Sequence, residues 1–196
     1  VVYIDKLGDA LRTLQAQLHD VEQPWLVGGS CGLLMQGVSI AEAPKDLDIY
    51  ADPEGARIIH ARLSEYSIDE QVEDRSSIYY SLLSHYNLDG IQVELVGGFQ
   101  VTMRNSVYIV NAALLNDRFA MKYSLNSGGQ LAPIKLMPLE HELIFNLLRN
   151  RPDRYEAIAK VISIRNIGTN QALEELIQQN SIDEAVIVQL RKLLQR

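Results

Sequence analysis

Apolar positions along the chain switch between a helical and a strand period, and each switch marks an element. Ile4, Leu7, Leu11, Leu14 and Leu18 recur every three or four positions, which predicts an amphipathic first helix packed beside a sheet. Pro24 disfavours helix at the residue before it and opens a new element. Trp25, Leu26 and Val27 form a short apolar run that stops at Gly28-Gly29-Ser30, after which Cys31, Leu33, Leu34 and Met35 resume helical spacing. That order reads strand, glycine turn, helix.

Asp46-Leu47-Asp48-Ile49-Tyr50 alternates as a strand, and Asp52-Pro53 reads as the N-cap and first residue of a helix buried through Ala56, Ile59 and Leu63. Residues 71–75 are polar and read as a loop. Ile78, Tyr80 and Leu82 alternate, Asp89-Gly90 is a favoured tight turn, and residues 91–96 form the return strand of a hairpin. The pattern weakens after Gly97-Gly98. Residues 107–110 and 119–125 read as strands, Asn126-Ser127-Gly128-Gly129 as a turn, and residues 132–136 as the return. Beyond Pro138 only helices are predicted, over residues 139–148, 155–164, 171–179 and 182–194, with Gly168 a C-cap that interrupts the bundle. The expected fold is α/β (α+β), a mixed sheet flanked by helices with a C-terminal helical bundle. A boundary near Met137 divides residues 1–137 from residues 138–196.

Composition narrows the class. With 196 residues, 47% of them apolar, the chain can bury a full core. It has neither an apolar run of membrane-spanning length nor a signal-peptide pattern, which predicts a cytoplasmic protein with no membrane partner. A net charge of −7 argues against a broad grip on nucleic acid. The single Cys31 excludes an internal disulfide and reads as core packing rather than a nucleophile. Histidines 19, 60, 85 and 141 lack zinc-ligand spacing and read as surface or packing residues.

Candidate chemistry is concentrated in two stretches. A strand's period of two puts Asp46 and Asp48 on one face and Leu47 and Ile49 on the other, with the carboxylates about 7 Å apart along the strand. Such a pair repels itself unless a cation lies between, and hard oxygen donors suit magnesium. Adjacent glycines let a backbone approach a ligand closely, and the helix after them turns its free N–H groups toward the turn, as a phosphate requires. Ser30 sits where an N-cap would sit, so its hydroxyl either closes the helix or donates to a phosphate. On the hairpin's return strand Glu94 is the stronger candidate for a third carboxylate; Asp89 is the weaker, because the turn already explains it. Arg75, Lys122 and Lys135 could meet phosphate charge, but exposed basic residues are the simpler description.

Gly28-Gly29-Ser30 followed by Asp46-x-Asp48 resembles the signature of the nucleotidyltransferase superfamily with the polymerase-beta-like fold, and the long gap looks most like its CCA-adding and AbiEii-type branches. The resemblance implies that Gly28, Gly29 and Ser30, with Lys45, bind the triphosphate of a nucleoside triphosphate. It implies that Asp46, Asp48 and a third carboxylate, here Glu94, are catalytic and hold two magnesium ions. The implied reaction moves a nucleoside monophosphate, AMP foremost, to an acceptor hydroxyl on a small molecule, a protein or RNA, with RNA disfavoured by the acidic balance. Relatives more often carry Asp in the third place. Residues 138–153 are similar only in part to the AbiEii-type helix, with Asn146 where a Lys is usual and Pro152 between Arg151 and Asp153. The alternative is a module of the same fold that binds a nucleotide or partner without catalysis, as in a toxin or antitoxin.

Overall fold

The computed structural model describes residues 2–125, 132–165 and 170–195. The first helix, α1 (Val2–Gln17), buries Leu7, Leu11 and Leu14, and Leu18 is buried just after its end. β1 (Trp25–Gly28), α2 (Gly29–Met35), β2 (Asp46–Ala51) and α3 (Pro53–Arg62) follow, then β3 (Val72–Arg75), β4 (Tyr79–Leu88), β5 (Ile91–Met103) and β6 (Ser106–Ile109). After α4 (Ala112–Arg118), β7 (Met121–Tyr123) and β8 (Ile134–Leu136), the chain continues as α5 (Leu139–Leu148), α6 (Pro152–Arg165), α7 (Gln171–Gln178) and α8 (Glu184–Leu194). The expected turn at 126–129 and the glycine break at 166–169 lie outside the described residues.

The strands form one mixed sheet in the order β3-β4-β5-β2-β1-β8-β7, with β6 added on β5. β2 is parallel to β5 and antiparallel to β1, so the two acidic stretches of the sequence lie side by side in its middle. The hairpin turns as the Asp89-Gly90 pair predicts. Both residues have positive φ, 54° and 82°, the requirement of a type I′ turn that matches strand twist.

Each face of the sheet has its own apolar cluster. On one, Leu47, Ile49, Val93 and Leu95 pack against Leu11 and Leu14 of α1 and Ile59 of α3. On the other, Leu26, Tyr50, Val96 and Phe99 pack against Leu143 and Phe145 of α5, and the cluster continues through Ile158, Leu176 and Val186 in the last helices. Helix α5 is buried on nearly every side, as expected of a helix between a sheet and a helical layer. The helices after Met137 therefore form one wall of the core that the sheet begins.

Three expectations about elements are corrected. Residues 72–75 are an edge strand, not a loop, paired with β4 through its backbone although all four side chains are exposed; with neither face buried, no alternation marked it. Residues 112–118 form α4 and only Met121–Tyr123 is a strand there. That helix is started by Asn111, whose side chain accepts from the Leu114 N–H, and by Asp52, whose carboxylate accepts from the N–H groups of Ala112 and Ala113 at 2.8 and 3.0 Å. Asp52 occupies the N-cap position of α3 as the sequence suggests, yet its side chain caps α4 instead. Ser30 is not an N-cap either. Gly28 holds that position, and Ser30 already lies within α2.

Candidate active site

The register of the sheet assembles the acidic wall. Asp48 on β2 lies opposite Glu94 on β5 and opposite Gly28 on β1. Leu47, Ile49, Val93 and Leu95 turn to the α1–α3 face, which leaves Asp46, Asp48 and Glu94 on the face that α5 covers. Each of the three offers a carboxylate oxygen, and these oxygens lie within 4.8 Å of one another. Asp89 stays at the hairpin turn, where it accepts from the Thr13 hydroxyl at 2.6 Å.

Charge crowding is strong. Burial pushes the Asp48 carboxyl up to about 8, helped by the charges of Asp46, Glu94 and Glu142. Glu94 is also raised, first by burial and then by Asp46, with His85 opposing. Two partly buried carboxylates that resist ionisation, Asp48 and Glu94, fit a divalent cation beside them, and an all-oxygen donor set fits magnesium.

The glycine turn is shaped by this wall. Gly29 has φ +59°, and a Cβ there would stand 1.8 Å from Asp48 Oδ2, so only glycine serves. At Gly28 a Cβ would meet Tyr50 at 2.8 Å and Met137 at 2.9 Å. Both glycines thus admit the protein's own side chains. The Gly29 N–H donates to Glu142 Oε1 at 2.8 Å, and Arg154 Nη1 donates to Ser30 Oγ at 3.1 Å.

Those two contacts bring in the second wall, from α5 and α6. A cavity of about 370 Å³ is lined by Gly29, Ser30, Asp48 and Glu94 on one side and by Glu142, Arg149 and Arg154 on the other. Such a volume is of ligand-site size. Tyr50, Tyr79, Phe99 and Phe145 supply its apolar surface, with Tyr79 stacked on Phe99 at 5.9 Å and Phe145 edge-on to Phe99 at 5.3 Å. Glu142 is pushed up to about 7 by burial, against the pull of the Gly29 N–H and of Arg149 and Arg154.

The fold is similar to that of a Thermotoga maritima protein described as a candidate nucleotidyltransferase, with 25% identity and a TM-score of 0.59 over 79% of this chain and 91% of that one. A family model described as aminoglycoside-2''-adenylyltransferase matches residues 10–100, the span that carries the glycine turn and all three carboxylates. In sequence over residues 10–100 and in fold over most of its length, the chain is similar to nucleotidyltransferases. Two structures of the antibiotic-resistance factor ANT(2'')-Ia, one in solution and one in complex with adenylyl-2''-tobramycin, are each 9% identical to it. They give TM-scores of 0.49 and 0.47 over 88% and 98% of this chain and 90% and 98% of theirs. No curated protein matches.

Some candidates from the sequence stand outside the cavity. Gly28, Lys45 and Asp46 do not line it; Lys45 is exposed, while Asp46 stands behind Asp48 and Glu94 with its carboxylate within 4.8 Å of theirs. Lys135 donates to the Asn116 carbonyl and lines a separate cavity with Trp25. Arg75 pairs with Glu73 and lies over the Tyr80 ring. Cys31 is buried, with its thiol 3.1 Å from the Asp46 carbonyl. Conversely, the sequence reading missed Glu142, Arg149 and Arg154. The available signal was the run Arg149-Asn150-Arg151-Pro152-Asp153-Arg154, three arginines in an acidic chain; all three line the cavity, Arg151 with its guanidinium also engaged by Asp153 at 3.0 and 2.7 Å. Among the described residues no helix is long and apolar enough to cross a membrane.

Proposed function

We propose that the protein is an adenylyltransferase that moves AMP from ATP to a hydroxyl of a small cationic acceptor of the aminoglycoside kind. The observation that carries this is one cavity with Asp48 and Glu94 of the carboxylate cluster on its sheet wall, Asp46 within 4.8 Å of both, and Arg149 and Arg154 on its helical wall. Arginines bind phosphate oxygens through charge-assisted hydrogen bonds. Ser30, which accepts from Arg154 and keeps its own O–H to give, joins them in orienting the triphosphate. The aromatic lining of Tyr79, Phe99 and Phe145 offers a stacking surface for a purine.

The acceptor oxygen attacks the α-phosphorus, the bond to the β-phosphate bridge breaks, and pyrophosphate leaves. Two magnesium ions, held by Asp46, Asp48 and Glu94, would supply the lowered pKa of the attacking hydroxyl and the charge that stabilises the leaving group. Asp74, which also lines the cavity, adds to the acidity of its sheet side. A polyamine-like sugar suits that side better than an RNA end does. In this scheme residues 1–137 carry the triad and residues 138–196 the phosphate-binding wall.

The test is pyrophosphate release with each of the four ribonucleoside triphosphates, magnesium and a panel of aminoglycosides, beside the double variant Asp46→Ala with Asp48→Ala. Release with ATP and an aminoglycoside that vanishes in the variant is the expected result. Nucleotide binding by calorimetry without release under any pairing would instead identify a binding module of this fold.

A further inference from the structure

One contact of the triad falls outside this scheme. His85 on β4 lies directly opposite Glu94 on β5, which lies directly opposite Asp48 on β2. The three form a continuous cross-strand row on one face, the arrangement in which sheet side chains interact most closely. His85 Nε2 stands 3.5 Å from Glu94 Oε1. On its other side the ring is fixed by Asp69, whose carboxylate takes the His85 backbone N–H at 2.7 Å through Oδ1 and the ring Nδ1 through Oδ2.

The Asp69 segment is itself fastened to β4. The Ile68 N–H donates to the His85 carbonyl at 3.0 Å, and Ser67 bridges to Tyr86. With Nδ1 held by a carboxylate, the ring has one orientation, and in it Nε2 meets Glu94. The His85 side chain is 23% exposed and that of Glu94 28%, so neither is a freely rotating surface group. Glu94 has one more rotatable bond than the aspartates beside it, and its useful orientation is correspondingly less defined.

We infer that Asp69 and His85 are positioning residues that hold Glu94 with one oxygen engaged and the other turned toward Asp46 and Asp48. This rests on the metal-binding reading of the triad. It also accounts for a Glu in the third place: the longer side chain is steadied by a neighbour on the next strand. Partners of metal ligands generally alter affinity or activity by about 10–100-fold when removed.

The experiment uses Mn²⁺ alone as probe, titrated by electron paramagnetic resonance into the full chain, with folding checked by circular dichroism. His85→Ala should weaken Mn²⁺ binding about tenfold, and His85→Gln, which keeps a side-chain donor, should retain most of it. In a Glu94→Gln background the effect of His85→Ala should disappear, because a residue acting through Glu94 has nothing left to act on. Asp69→Asn should shift binding in the same direction as His85→Ala by a smaller factor, and it serves in place of His85→Ala if that variant does not fold. Unchanged Mn²⁺ affinity in folded His85→Ala, or a loss that persists in the Glu94→Gln background, would overturn the inference. Asp48→Asn separates the two levels: if it too leaves Mn²⁺ binding unchanged, the metal reading has failed rather than the positioning role.

Discussion

The two walls of the cavity carry similar numbers of charged groups but obtain them in different ways. On the sheet wall, Asp46, Asp48 and Glu94 share a face because strand period and register leave them no other. On the helical wall, Glu142 and Arg154 reach the site by packing, through contacts to Gly29 and Ser30 that are 113 and 124 residues away along the chain. One wall gathers like charges and calls for a cation. The other mixes a buried carboxylate with arginines and supplies part of its own compensation. On the proposed function the sheet wall takes the metal and the helical wall the phosphates, and substitutions on the two should differ in kind.

The sharpest break is Asp48→Asn. An amide keeps the shape but replaces a charged ligand with a neutral one, so turnover should fall on the order of a thousandfold or more. Stability should move the other way. Because Asp48 is held above its ordinary range by burial and by its acidic neighbours, removing its charge relieves repulsion, and metal-free Asp48→Asn should melt above wild type at pH 8. A variant that loses activity and also melts lower would mean that the carboxylate is structural.

Next in size is Gly29→Ala, where the walls touch. The residue has φ +59°, and its new methyl would collide with Asp48 Oδ2. Backbone strain alone costs about 1–3 kcal/mol, and the displaced carboxylate should lower turnover about a hundredfold, near the loss for a misplaced reacting group. Full activity in this variant would show that the Asp48 position is not needed.

How far each wall could be read from the sequence follows from the same contrast. Asp46-x-Asp48 and the hairpin that carries Glu94 needed only alternation and an Asp-Gly turn, both local. That Glu94 stands beside Asp48 needed β2 and β5 to be neighbours, which topology and not composition decides. Glu142 lies within an apolar helical stripe that reads as plain core, and its role appears only when α5 is laid across the glycine turn. Asp69 was hidden for a similar reason, because the segment before β3 carries no periodic signal, and without that partner His85 on β4 reads as a surface histidine. The helix boundaries after Pro138 were legible because apolar stripes, prolines and caps are local too.

Arg154→Ala tests the phosphate side with a moderate expected effect. Loss of a charge-assisted hydrogen-bond donor should raise KM for the nucleotide about tenfold with a smaller change in kcat. Mn²⁺ binding in the absence of nucleotide should stay near that of wild type. A fall in Mn²⁺ affinity as large as that of Asp48→Asn would erase the distinction between the walls.

The smallest effect, and the finest test, is expected at Glu142. Its carboxyl is raised from 4.5 to about 7 by burial, and that of Asp48 from 3.8 to about 8. The folded chain therefore holds protons that the unfolded chain has released, and metal-free stability should fall as pH rises from about 4 to 8. Magnesium should restore most of what Asp48 loses, since a cation replaces the proton, but little of what Glu142 loses on the other wall. Glu142→Gln keeps an acceptor for the Gly29 N–H and removes the titrating charge. Melting curves from pH 5 to 8 should then be flatter than wild type, with turnover changed a fewfold at most. If Glu142→Gln instead reduced turnover as Asp48→Asn does, Glu142 would belong with the metal ligands and the helical wall would share in the chemistry.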